Sequence, residues 1–343
     1  MHLFDRIATA AAALVVASAV LVYPVAAHAE EFFKDKTISL MVGTEPGGSY
    51  DLYARLVAAH LARHVPGRPS INVEFMPGAG GATAGNYIYG IGPQDGTKVL
   101  LSHALPMIEK LQGGSGIRYA SNKLQWIGAY DSISMVMALW HTAPAKTVAD
   151  LRNANLAIGA MARNHVVTQS TALVKYALDA SYRMIPGYRS GNELNVAMER
   201  GEIHGLMLSW ENLTGTRPQW IKDKTIAIPL QFALDRIPEL NTVPTLLELT
   251  PPERKPIVDF ILSGTPTARG IVVGPGVPAD RTAILRKAFD DLMKDDAFLA
   301  EATKRKLSIA PRNAQQMQAL VEKITSASPE VVTQVKKATG MEQ

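Results

Sequence analysis

The chain alternates short apolar runs with stretches whose apolar residues recur at three- and four-residue spacing, the signature of strands and amphipathic helices in alternation. The clearest unit spans residues 37–67. Residues 37–42 form a β-rich apolar run and 43–49 a turn, and 50–64 follow as a helix with Leu52, Leu56, Val57 and Leu61 on one face, stopped by Pro66-Gly67. A strand at 71–75, a turn at 76–81, a helix over 83–89 and a strand at 97–102 come next, so two strand-turn-helix units occur in succession with glycines at each turn. A second set is predicted further on, with strands at 156–160, 183–185, 203–208 and 226–230 and helices at 167–178 and 193–200. The Pro-rich stretch 244–256 leads to a short helix, then 269–273 reads as a buried strand followed by Gly274-Pro275-Gly276-Val277-Pro278. Residues 279–338 are nearly all helical in pattern, broken at Pro311 and Pro329, and are expected to pack back over one of the sheets. The pattern as a whole predicts an α/β protein built around largely parallel sheets.

Length and composition narrow this further. At 343 residues the chain exceeds the roughly 250–300 at which single cores stop growing, so two domains are expected. A net charge of +4 permits anionic ligands but lacks the concentrated basic face that a phosphate backbone requires, which argues against nucleic acid as a partner. There is no cysteine, which excludes disulfides, thiolate catalysis, Cys-ligated metals and a lipidated N-terminal Cys. Arg6, the apolar run 7–27 and the small-x-small pattern Ala27-His28-Ala29 read as a secretory signal cleaved after Ala29, placing the mature chain outside the cytoplasm.

Candidate chemistry centres on two glycine turns, Glu45-Pro46-Gly47-Gly48-Ser49-Tyr50-Asp51 and Met76-Pro77-Gly78-Ala79-Gly80-Gly81-Ala82-Thr83. Backbone N–H groups at a helix start carry partial positive charge and lie open where no side chain intrudes, so a converging pair suits a carboxylate at the strand ends where α/β sheets bind ligands. Nucleotide fingerprints fail: Ser49-Tyr50 replaces the Lys-Ser/Thr of a phosphate loop, and Thr83 stands where a third glycine would be. Gly113-Gly114-Ser115-Gly116-Ile117 misses a nucleophile elbow by one residue. His60 and His64 share a helix face, but with no third ligand evident they read as a solvated face, and no metal or other cofactor is expected. Asp51, just inside its helix, is placed to fix the turn. Trp210, beside Ser209 and Glu211 after a strand, is the tryptophan best placed for the cleft.

These motifs, in this order, resemble the periplasmic receptors of tripartite tricarboxylate transporters, the Bug family, over essentially the whole mature chain. The resemblance is carried by Pro46-Gly47-Gly48-Ser49-Tyr50-Asp51 with Ala54-Arg55, by Pro77 to Gly81, and by Pro93-Gln94-Asp95-Gly96-Thr97. Weaker echoes are Ile185 to Gly191, Glu199 to Gly205, Val243-Pro244-Thr245 and Gly274 to Pro278. It implies a type II periplasmic-binding-protein fold, with residues 30–134 and 270–343 in one α/β domain, 135–269 in the other, and two hinge crossings between them. It further implies a monomer, without catalytic activity, that captures a small organic acid by cleft closure and delivers it to the membrane subunits of such a transporter. The ligand-binding residues it suggests are Gly47, Gly48, Ser49 and Asp51 of the first turn, Ala79, Gly80 and Gly81 of the second, and Ser102 and His103 at the next strand end. From the second domain it suggests Arg163, Asn164 and His165, then Tyr188, Arg189 and Ser190, and Trp210. Glu45 beside the first turn and the polar 161–165 loop leave the acid unspecified. Two alternatives stay open: a secreted enzyme using Ser102, His103 and Asp51, and a receptor that feeds a membrane sensor.

Overall fold

The computed structural model describes residues 32–47, 49–114, 116–162 and 165–341. The segment expected to be a secretory signal, with its expected cleavage after Ala29, and Gly48, Ser115, Arg163 and Asn164 lie outside the described residues. The strands in chain order are β1 (Thr37–Val42), β2 (Ser70–Phe75), β3 (Lys98–Leu101), β4 (Gln125–Ala129), β5 (Met135–Trp140), β6 (Ala157–Gly159), β7 (Arg183–Ile185), β8 (Gly205–Ser209), β9 (Ile226–Ala227), β10 (Gln231–Phe232), β11 (Gly270–Val273) and β12 (Arg312–Asn313). They form two sheets, ordered β12-β4-β11-β3-β1-β2 and β10-β5-β8-β6-β7, with β9 beside β5.

The sheets are mixed rather than largely parallel, and the crossings explain why. β1, β2 and β3 run parallel, as do β6, β7 and β8. Strand β4 leaves its sheet at the cleft edge, residues 130–134 cross, and β5 therefore enters the second sheet from that edge, antiparallel to β8. The return through 264–269 gives β11 the same reversed entry, antiparallel to β3 and β4.

The helices are α1 (Ser49–Leu61), α2 (Ala82–Asn86), α3 (Leu105–Leu111), α4 (Val166–Leu178), α5 (Gly191–Glu199), α6 (Trp210–Thr216), α7 (Pro218–Lys222), α8 (Leu246–Leu249), α9 (Lys255–Ser263), α10 (Ala279–Leu292), α11 (Asp296–Lys304), α12 (Ala314–Thr325) and α13 (Pro329–Thr339). Alternation along β1 sorts the first sheet's faces. Ile38, Leu40 and Val42 pack with Tyr53, Leu56 and Val57 of α1 and Phe289 of α10, whereas Met41 joins Leu100, Trp126 and the α12 residues Met317 and Val321 on the other face. Each such buried side chain contributes roughly 1.5–3 kcal/mol. Gly128 of β4 lies against the Phe289 ring, which leaves no room for a Cβ. The second sheet has its own core, built on Val136, Ile158, Leu206 and Met207 with Leu173, Leu194 and Val258. The terminal helices divide between the two: Ile324 of α12 and Val335 and Ala338 of α13 sit in the second core.

Candidate functional site

Parallel pairing sets Val42 opposite Phe75, so the loops after β1 and β2 leave the sheet side by side. They come close through backbone. A Cβ on Gly43 would stand 3.0 Å from Gly81 Cα, so any side chain there would push the second loop outward. The second turn holds four successive left-handed residues, Gly78 (φ 139°), Ala79 (46°), Gly80 (64°) and Gly81 (103°). At Ala79 this conformation costs about 1–2 kcal/mol, a cost borne by the only non-glycine of the four. Gly47 (φ 90°) and Gly80 both face open space, with nothing within 4 Å of where a Cβ would sit.

Asp51 shapes the first turn. Its Oδ2 accepts the Gly47 N–H at 2.9 Å and its Oδ1 pairs with Arg55 Nε at 2.6 Å. Asp51 thus positions the turn and takes up the Gly47 N–H, while its buried Oδ1, ion-paired with Arg55, accepts no hydrogen bond among the described residues. On the second turn, the Gly80 carbonyl lies 2.9 Å from His103 Nδ1, whose N–H it accepts in the neutral ring. Burial, first, and then nearby Arg269 push the His103 pKa down, keeping the ring neutral. The ring packs at a tilt against Tyr50, 4.4 Å between centroids, so Tyr50 and His103 join the two turns. Ser102 is fully buried and its hydroxyl has no partner among the described residues. Ser102, His103 and Asp51 therefore make no hydrogen-bonded triad.

Behind Tyr50 lies a cluster that motif reasoning missed. Arg269, at the end of the second crossing, lies over the rings of both Tyr50 and Tyr53, 4.8 Å from each ring centre. Its Nη1 donates to Ser49 Oγ at 3.3 Å and its Nη2 is 3.5 Å from Glu211 Oε2. Burial works against this charge, but Tyr130, Tyr50 and Glu211 more than offset it, and the net shift is upward. The Tyr53 hydroxyl lies 3.0 Å from Glu211 Oε1, 3.0 Å from the Ser308 carbonyl and 3.2 Å from Asp131 Oδ2. Burial, and then the charge of Glu211, push Asp131 up to about 8. The one sequence signal for this cluster was a single arginine at the head of an otherwise apolar run.

Across the cleft, a chamber of about 220 Å³ opens in the second domain, floored by Met135, Leu194, Leu206 and Met207. His165 lines it and caps α4, its ring Nδ1 accepting the Val167 N–H at 3.2 Å. Burial lowers the His165 pKa and leaves it neutral. Val166, 48% exposed, forms an apolar lip. The 185–191 turn contributes Gly191 to the lining; Ser190 instead caps α5 through the Glu193 N–H, and the Arg189 N–H donates to Glu193 Oε2 at 2.7 Å. Tyr188 packs against the second core. Trp210 turns the other way, lining a cavity of about 90 Å³ beside the crossings with Asp131, Ser132 and Arg312.

His60 and His64 prove to be packed rather than solvated. His60 Nε2 lies 2.5 Å from Glu301 Oε2 and His64 Nε2 2.8 Å from Asp295 Oδ2, tying α1 to α11. No group of three metal-ligating side chains occurs among the described residues. No described helix is long and apolar enough to cross a membrane.

Two α/β domains, two crossings through the cleft edge and facing loops at the strand ends define a periplasmic-binding-protein fold. The solved structures agree. The chain is similar to a TctC solute-binding protein from Polaromonas, crystallised with no ligand (16% identity, 90% of this chain and 99% of that one, TM-score 0.69). It is likewise similar to the periplasmic binding protein BugD (18%, 89% and 98%, TM-score 0.56) and to MatC from Rhodopseudomonas palustris with bound malate (19%, 87% and 99%, TM-score 0.56). No family model matches the chain, and none of the curated proteins compared with it does.

Proposed function

We propose that this protein is an extracytoplasmic solute receptor that captures a small organic acid between its two domains and delivers it to a membrane transporter of the tripartite tricarboxylate type. The observation that carries the reading is the close approach of Gly43 and Gly81, which sets the two open glycine apexes, Gly47 and Gly80, on neighbouring loops, the first of them bonded through Ser49 to a buried arginine. A carboxylate placed there meets the start of α1, a thirteen-residue helix, and the helix dipole with it. The fold shared with TctC, BugD and MatC, and the malate in MatC, support an acid as the ligand. The body of the solute extends into the chamber floored by Met135 and Met207, and closure follows because the ligand touches both domains. The signal-like segment before residue 30 accounts for export to the periplasm. Nothing in the site calls for chemistry on the ligand: Asp51 and His103 are each engaged by other partners, and the Ser102 hydroxyl bonds to neither of them.

The test is a thermal-shift screen of mono-, di- and tricarboxylates, aromatic ones included, on the mature protein. A few acids are expected to raise the melting temperature, since a ligand at 100 times its Kd adds about 2.7 kcal/mol. Stabilisation by no organic acid at all would sink the carboxylate reading, and recovery of a chemically altered ligand after long incubation would replace the receptor with an enzyme.

A further inference from the structure

Arg269 is only 5% exposed, yet its five N–H donors are poorly matched. One reaches a neutral hydroxyl, Ser49 Oγ, at 3.3 Å. Another faces Glu211 at 3.5 Å, long for a charge-assisted hydrogen bond. The Nε is buried and makes no well-aligned hydrogen bond among the described residues, with the Tyr130 hydroxyl, itself without one, beside the group. Buried guanidinium groups ordinarily fill their donors, so an under-used one behind a binding turn calls for an explanation. Poor fixation is not it, because the buried group packs on the rings of both Tyr50 and Tyr53.

We propose that Arg269 is the cationic residue of the carboxylate site, facing the first glycine turn through Ser49, and that Glu211 is an internal carboxylate with which the solute's own carboxylate competes for it.

This rests on the carboxylate reading above and adds the residue that sets its charge preference. Asp51 is offset by Arg55, and His103 is neutral, so neither opposes or replaces Arg269 at the turn. When Arg269 donates to Ser49 Oγ, the serine O–H is free to point the other way and donate to an anion, so Ser49 ties to Arg269 the same carboxylate that competes with Glu211. The exchange is one-sided. Glu211 is 25% exposed and can turn to water, whereas Arg269 is packed on two rings and keeps its charge. The other acid in the cluster is not the counter-ion. Tyr53 has one hydroxyl hydrogen and three acceptors around it, so a carboxyl proton must fill one of the remaining contacts, and Asp131, the more buried acid, is the one that holds it. The groups facing the pair are thus Tyr50 and Tyr53 from α1, Tyr130 and Asp131 from the first crossing, His103 from the β3 end, and Ser308 from the segment before β12.

Acetate, the smallest carboxylate, is the probe. It is titrated to 200 mM at constant ionic strength against chloride while nitrogen-15 NMR follows the Gly47 and Ser49 amides and the Arg269 Nε–H. Binding is compared in D131N and D131N/E211Q, a pair in which Asp131 cannot ionise to replace the lost charge. The expected result is saturable shifts at all three groups with one Kd, and a Kd about tenfold tighter in D131N/E211Q, equivalent to roughly 1.4 kcal/mol. R269K, which keeps the charge but loses the planar guanidinium, is expected to weaken acetate by about tenfold. Amide shifts without movement of Arg269 Nε–H, or equal or weaker binding when Glu211 is neutral, would overturn the role of Arg269 and leave the carboxylate reading standing. Absence of any shift overturns both. If D131N/E211Q does not fold, the Nε–H response of the unmodified protein decides alone.

Discussion

The Tyr53 hydroxyl stands 3.0 Å from Glu211 Oε1, linking the second turn of a first-domain helix to the first turn of a second-domain one. Asp131 on the first crossing and Arg269 on the second pack around that contact, so one polar knot gathers both domains and both passages of the chain.

Tyr53→Phe removes the shared hydroxyl while keeping the ring between Arg269 and Tyr130. Three groups lose their contact with the hydroxyl, the buried Asp131 among them, and a destabilisation of about 2 kcal/mol is expected. Urea unfolding checks it. An unchanged midpoint would mean the hydroxyl contacts contribute nothing net.

Asp131 makes stability depend on pH with an unusual sign. Its pKa rises from 3.8 to about 8 because of burial and then Glu211, so the folded protein keeps a proton that the unfolded chain has lost. Stability contributed by this group is full at low pH and declines as pH rises from about 4 to about 8. The decline is expected to be several kcal/mol, about 1.4 for each pH unit between the two pKa values, and Asp131→Asn to abolish most of it. Melting temperatures measured from pH 5 to 8.5 in both proteins settle the point; parallel curves would count against a shifted Asp131.

Gly80→Val places a side chain in the open space above the second turn, where nothing lies within 4 Å, and forces a left-handed valine. The strain costs about 1–2 kcal/mol, which lowers the melting temperature by only a few degrees. Affinity for the acid that most stabilises the unmodified protein is expected to fall at least tenfold in calorimetry. Retained affinity would make the turn merely architectural.

Gly128→Ala drives a methyl group into the Phe289 ring in the first core. The expected cost is about 3 kcal/mol, partly relieved by adding Phe289→Leu. A denaturation cycle over the two single variants and the double variant measures the coupling, and strict additivity would remove the proposed clash.

The glycine turns were legible because their chemistry is backbone chemistry: Gly47, Gly78, Gly80 and Gly81 all take the left-handed conformations that glycine spacing announces. The alternation in β1 and the helical faces of α1 and α4 were equally readable, since local periodicity reports which side is buried. What pattern reading missed is long-range. Tyr53, Asp131, Glu211 and Arg269 are scattered over more than two hundred residues and meet only because the crossings return to one edge. Trp210 and Glu211 are adjacent, yet the tryptophan expected in the cleft lines the cavity beside the crossings while the glutamate reaches Tyr53. Reversed strands β5 and β11 escaped for the same reason, because strand direction belongs to connectivity and not to composition.

Helix α12 belongs to both cores at once, with Met317 and Val321 in one and Ile324 in the other, and α13 continues onto the second. It forms a third tether beside the two crossings, and a body held at three points twists less freely than one held at two. A fragment cut at residues 135–263 would therefore carry a bare oily seat where Ile324, Val335 and Ala338 belong, and would pair with itself or precipitate instead of standing alone.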